Sequence, residues 1–184
     1  MSAIDTSNQT LPTGTWNVDP VHSQVGFAVQ YVVGTFRGSF SPVDAKLVVA
    51  ENGAATLSGK APVSGIKVQD ENLEAHLQSP DFFDAERAPE ITFTSTSVSR
   101  DGDAVEIEGE LQIRGTAKPV TLTGTVGKQG VDAWGKERFN LELATSIDRT
   151  EFGVDWNNPL PSGEPSLANE VALTAELYLV KAQA

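Results

Sequence analysis

One stretch near the middle of the chain limits what the rest can become. Val105, Ile107, Gly109, Leu111 and Ile113 alternate strictly with Glu106, Glu108, Glu110, Gln112 and Arg114. A period of two places alternate side chains on opposite faces of a pleated sheet, so one face is apolar and the other must meet water. The pattern recurs along the chain. Val25, Phe27, Val29 and Tyr31 share one face, with Gln24, Gly26, Ala28 and Gln30 on the other. Val120, Leu122 and Val126 alternate with Thr121, Thr123 and Thr125, and Phe139, Leu141, Leu143 and Ile147 with Asn140, Glu142 and Ser146. Near the end, Val171, Leu173, Ala175, Leu177 and Leu179 face away from Thr174, Glu176 and Tyr178. Weaker runs cover residues 36–49, with a break expected at Ser41-Pro42, and residues 55–65 and 91–98. Asn52-Gly53, Asp101-Gly102, Arg114-Gly115 and the Gly127–Gly130 stretch supply the turns between them.

About eight antiparallel strands, each apolar on one face, predict an all-β fold that is either a closed barrel or a sandwich. The 184 residues suit one domain, large enough for a substantial core or an internal cavity. Residues 1–13 are polar and unpatterned and read as a disordered tail, leaving 14–184 as the folded domain. Two segments break the strand pattern. Between Asp70 and Glu86, Leu73, His76 and Leu77 stand at i, i+3 and i+4, one stripe of a short helix. Ser79-Pro80-Asp81 then reads as a cap with proline in first helical position, opening a second turn that carries Phe82 and Phe83. The other segment, 156–166, holds Pro159, Pro161 and Pro165. It reads as a loop, either plain surface or the cover of a barrel mouth.

Thirteen basic against 25 acidic residues leave a net charge of −12, which repels phosphate backbones and argues against nucleic acid as a partner. The same charge disfavours broad docking on anionic lipid, although it leaves room for a local basic patch. With no cysteine, disulfides and thiolate chemistry are excluded. The first ten residues lack a basic and then apolar leader, and no apolar run nears the roughly 20 residues a bilayer span requires. A cytoplasmic protein without stable membrane insertion is the expectation.

Catalytic patterns are sparse. His22 and His76 are far apart, with no ligand spacing, so no metal site is expected. Asp19, His22 and Ser23 include the residue types of a hydrolytic triad. As near neighbours on or beside one strand, however, His22 and Ser23 point to opposite faces. No catalytic residue and no cofactor is expected. An apolar ligand site has better support, because the Leu73, His76, Leu77 stripe and the Phe82-Phe83 pair put bulky apolar groups where a mere connection would do. They either plug one end of a barrel or line an opening for an apolar chain. In the second reading Phe27, Val29, Tyr31, Phe36 and Phe93 continue the wall, and His22, Arg37, His76 or Arg114 receive a polar headgroup.

Taken together, several segments resemble the YceI-like family. They are Trp16–Phe27, Gly34–Phe40, Ala75-His76-Leu77-Gln78-Ser79-Pro80-Asp81-Phe82-Phe83-Asp84, Pro89–Phe93, Leu111–Val120 and Asp148–Val154, in the family's order from Trp16 to Leu179. The resemblance implies an eight-stranded antiparallel, lipocalin-like barrel with a short helical segment near 70–86. It also implies a long cavity for a polyisoprenoid, quinone or fatty-acyl lipid, carriage rather than turnover, and scope for a homodimer. One departure stands out: Leu73-Glu74 replaces the Arg-Asp that relatives commonly carry before the His-Leu pair, which shifts any headgroup contact there elsewhere. Two other functions remain open at this point. One is an enzyme acting on a lipid inside the barrel, with Asp19, His22 and His76 as its only titratable candidates. The other is a filled barrel serving as a structural module.

Overall fold

A computed structural model describes residues 10–183. Its strands are β1 (Gly14–Val18), β2 (Gln24–Tyr31), β3 (Gly34–Phe40), β4 (Asp44–Val49), β5 (Ala55–Pro62), β6 (Ile66–Lys67), β7 (Glu90–Asp101), β8 (Ala104–Ile113), β9 (Thr116–Val126), β10 (Gly130–Val131), β11 (Glu137–Asp148) and β12 (Leu167–Lys181). These segments build eight staves. β1 and β2 both pair antiparallel with β12 and make one stave, interrupted by residues 19–23. β3 and β4 make the next, divided at the Ser41–Pro42 peptide, which is cis. β5 and β6, joined by a 3-10 turn over Val63–Gly65, make the third. β7, β8, β9, β11 and β12 follow in antiparallel order, and β12 returns to β1 and β2, so the barrel closes. β10 extends the edge of β11 as a short hairpin.

Closure settles the choice between barrel and sandwich. Along β8, every second residue from Val105 to Ile113 is buried and every intervening one exposed, so the inward face is apolar over the whole strand. Fully buried Trp16, Leu47, Ile107, Leu141 and Leu179 fill the lower half, and Trp16 meets Phe139 edge to face at 4.7 Å. The floor is therefore solid protein. Phe40, Leu77, Phe82, Phe152 and Leu167 belong to a second apolar group in the upper half, which is less completely filled.

Two expectations change. Of the tail assigned to 1–13, residues 1–9 lie outside the described residues, but Thr10–Thr13 belong to the fold. Leu11 is only 3% exposed in the lower core, and Trp16 Nε1 donates to the Pro12 carbonyl at 2.9 Å. An apolar side chain under the floor and an acceptor for the buried indole hold this stretch in place. The short helical segment near 70–86 is present but ends at Gln78. Helix α1 spans Glu71–Gln78, capped by Asp70, whose Oδ1 accepts from Leu73 N at 3.0 Å. The second helical turn expected from Ser79-Pro80-Asp81 is replaced by consecutive tight turns. Phe82 N and Asp84 N both donate to the Ser79 carbonyl, Phe83 N donates back to Leu77 O, and Asp84 takes a left-handed φ of 51°.

Candidate ligand cavity

The upper half of the barrel encloses an apolar cavity of about 400 Å³, which opens at the end carrying α1. A deeper space of about 120 Å³ adjoins it, and Val25, Ala61, Ile91, Leu111 and Leu173 belong to both walls. Together they reach from Leu167 near the mouth to Leu177 above the floor. The bulge between Leu167 and Val171 sets four residues of β12 against two of β2, so about eight residues' rise at about 3.3 Å each, on a strand tilted by about 40°, gives roughly 20 Å of axial depth. The space is long and narrow, in the size range of small-molecule sites.

Local sequence explains how each wall arises. On β2, β8, β11 and β12 the period-two alternation turns the apolar set inward. Glycines make room for the aromatics. A Cβ on Gly38 would lie 2.5 Å from Phe27 Cζ, and one on Gly109 would lie 2.5 Å from Phe93 Cζ, so each ring rests on a bare backbone. At the mouth, α1 presents Leu73, His76 and Leu77 to the cavity, as its helical spacing requires. The tight turns after it bring in Phe82 and Phe83, and Phe83 packs edge-on against Phe40 at 5.4 Å.

Of the residues singled out in the sequence, Phe27, Val29, Tyr31, Phe36, Leu73, His76, Leu77, Phe82 and Phe83 line the main cavity, and Phe93 lines the deeper space. The four headgroup candidates separate. Only His76 is in the wall. His22 sits on the outer surface, its Nδ1 2.7 Å from Asp19 Oδ2 and its side chain 65% exposed. Arg37, on β3, pairs opposite Ala28 and is exposed. Arg114, with a φ of 53°, ties the rim together from beside the cavity. Its Nη1 donates to Gly153 O and its Nη2 to Pro80 O, both at 2.7 Å. Its Nε is buried without a partner among the described residues.

Arg149, Trp156, Phe152, Ile147 and Val154 also line the cavity and were not singled out. Arg149 is buried, yet it meets no carboxylate within ion-pair distance among the described residues. Instead it donates to four carbonyls: Nε to Ala168 O at 2.8 Å, Nη1 to Val154 O and Trp156 O at 2.8 and 2.9 Å, and Nη2 to Leu167 O at 3.3 Å. Burial pulls its pKa down, and the charges of Asp148 and Asp155 partly restore it. One guanidinium thus fastens the start of β12 to the strap that follows the 3-10 turn Arg149–Phe152. A signal for it was present. Phe139, Leu141, Leu143 and Ile147 alternate inward, and one more step of the same parity reaches Arg149.

Of the proline-rich segment, Trp156 lines the cavity, while Pro159, Pro161 and Pro165 are exposed. Asn157 closes the base of the segment, with Oδ1 accepting from Ser166 N and Leu167 N and Nδ2 donating to Leu167 O. Trp156 closes against His76 and Phe82, at ring distances of 5.2 Å each. His76 Nε2 lies 3.0 Å from Asp81 Oδ2 on the solvent side. The cavity wall therefore offers a binder many apolar contacts and very few polar ones. Among the described residues no group of three or more His, Asp or Glu side chains converges to hold a metal ion, and no helix is long and apolar enough to cross a membrane.

Comparison with known proteins gives one consistent answer. The family model described as the YceI-like domain matches residues 16–179. Protein YceI of Escherichia coli O157:H7 is 33% identical over 136 residues, covering 72% of this chain and 71% of that protein, and the Salmonella arizonae protein is 31% identical over the same coverage. Among solved structures, Burkholderia cenocepacia BcnA superposes with a TM-score of 0.73 at 24% identity, covering 88% of this chain and 98% of its own. A polyisoprenoid binding domain from Saccharophagus degradans superposes with a TM-score of 0.69 at 12% identity, over 91% and 98% of the two chains. At these identities the two structures speak for the fold.

Proposed function

The chain belongs to the YceI-like family, and from that premise we propose that it binds and carries a polyisoprenoid or similar long-chain amphiphile, such as an isoprenoid quinone, inside the barrel. The observation that carries this reading is the long apolar cavity, blind at the Trp16 floor and open at the α1 end. The Saccharophagus degradans neighbour, described as polyisoprenoid-binding, supports the same ligand class.

The energetics suit a chain ligand. At about 0.8 kcal/mol per buried methylene-sized group, each five-carbon isoprene unit contributes roughly 4 kcal/mol before ordering costs. A few units reach useful affinity with little polar recognition, and the wall provides little. Depth and width then select the ligand, while His76 is the one imidazole available to a headgroup at the rim. The lining fits binding better than turnover: among the described residues its titratable side chains are Tyr31, His76 and Arg149 in the main cavity and Lys60 in the deeper space, and Arg149 is committed to carbonyls.

Organic extraction of the purified protein, with native mass spectrometry, is the direct test. Recovery of a stoichiometric long-chain lipid, and uptake of a fluorescent prenol in competition with it, is the expected result. A protein that yields no apolar ligand and takes up no long-chain probe would overturn the reading.

A further inference from the structure

The turn between β2 and β3 is built from residues that a hairpin of this kind disfavours. It has two residues, Val32 and Val33, between the closing pair Tyr31 and Gly34. Val32 takes a φ of +47°. A β-branched side chain crowds its own backbone there, and asparagine or glycine occupies such positions with far less strain. The backbone is held by a bond from Val32 N to Ser166 O at 2.9 Å. The side chains do not repay the strain by packing: Val33 is 95% exposed, and Tyr31 and Val32 are about half exposed. Three consecutive exposed apolar residues thus stand at a hairpin tip.

Position and charge narrow what they meet. Tyr31 and Phe36, on the same hairpin, line the cavity, so the tip lies on the rim through which a ligand passes. From Gln24 to Phe40 the hairpin has a single charged residue, the exposed Arg37, in a chain of net charge −12. The helix side of the rim is acidic, with Asp70, Glu71, Glu74 and Asp81. One edge of the mouth is therefore apolar and weakly basic while the rest of the chain is acidic.

We propose that the Val32-Val33 turn is a lipid-contact element that seats this edge of the mouth on a bilayer surface. The valines enter the headgroup–acyl boundary, Tyr31 lies at the interface where amphipathic rings collect, and Arg37 faces lipid phosphates. The proposal rests on the carriage reading and adds its route. A long apolar chain that enters or leaves through a membrane-seated mouth never exposes its methylenes to bulk water, which is the costly step in transfer.

The test uses the full chain with vesicles of phosphatidylethanolamine and phosphatidylglycerol, read by co-sedimentation and by transfer of a fluorescent prenol between vesicle populations. The variant is Val32→Gly with Val33→Asn, which puts glycine at the one turn position with positive φ, so its melting temperature should hold or rise. The expected result is vesicle binding by the parent, weakened about tenfold or more in the variant, the scale of losing two inserted valines. Prenol affinity in detergent solution should stay unchanged. Equal vesicle binding by parent and variant would overturn the proposal, and so would a parent that binds no vesicles. A parent dimer that the variant dissolves while vesicle binding is unaltered would also overturn it, assigning the turn to self-association. If no prenol binds in detergent while vesicle binding still depends on the two valines, carriage fails and the lipid contact stands.

Discussion

His76 and Trp156 meet edge to face, their ring centroids 5.2 Å apart and their planes at 88°. One comes from α1 and the other from the proline-rich strap, so this contact joins two separate parts of the rim. Phe82 lies against both, 5.0 Å from His76 and 5.2 Å from Trp156, and completes an aromatic cluster at the cavity opening.

Replacing Trp156 by Ala removes two of these three ring contacts, each worth about 1 kcal/mol. A bound long-chain probe should then dissociate about tenfold faster, since most affinity changes appear in the off-rate. Stopped-flow displacement checks this. An unchanged release rate would show that the strap does not gate the mouth.

Ala175 lies in the wall of the deeper space. The substitution Ala175→Phe should fill part of it and leave the upper cavity open. Long prenols should lose affinity by about tenfold, the cost of one or two isoprene methylenes left in water, while short ones bind as before. No loss at any chain length would place the ligand's end above Ala175.

The Arg149→Met variant leaves four carbonyls at the mouth without their donor. The expected loss is on the order of 3 kcal/mol, because unsatisfied buried acceptors keep their desolvation cost. At about 3 °C per kcal/mol for a domain of this size, the melting midpoint should fall by roughly 10 °C. Arg149→Lys should rescue only part of this, since one ammonium cannot span the same four oxygens. Full stability in Arg149→Met would remove Arg149 from the role of fastener.

Asp19 supplies a pH prediction. Hydrogen bonds from His22, and then from Arg138 and the Val21 N–H, hold its carboxyl at about 2 against an ordinary 3.8, in spite of partial burial. A lowered folded pKa adds stability that is fully present above 3.8 and is lost as pH falls toward about 2. Urea midpoints followed through that window should therefore drop less steeply for Asp19→Asn than for the parent. Identical slopes would mean the carboxylate has the same partners in the unfolded chain.

Much of the fold is legible in the sequence. Strict alternation on β8 and β12 assigned inward and outward faces because a strand's side-chain period is fixed by its backbone. The stripe Leu73, His76, Leu77 marked the helix for the same reason. Its end was harder to read, because Ser79-Pro80-Asp81 suits either a new helical turn or the tight turns observed, and packing of Phe82 and Phe83 chose between them. The tail was read too long because Leu11, one apolar residue in a polar run, has no periodicity to announce its place under the floor.

The headgroup candidates show the limit most clearly. His22, Arg37, His76 and Arg114 were equivalent as sequence, since each is a polar residue near an apolar pattern. Their separation into outer wall, exposed strand face, cavity rim and strut follows from barrel closure. Periodicity is a local property and survives in the sequence, so face, element and family could be read there. Which residues from distant staves share one space depends on shear and closure, non-local quantities that no single segment encodes. That is why the alternating pattern of Val105 to Ile113 foretold an apolar interior, while the depth of that interior, its blind floor and the Arg149 fastening came from the folded chain.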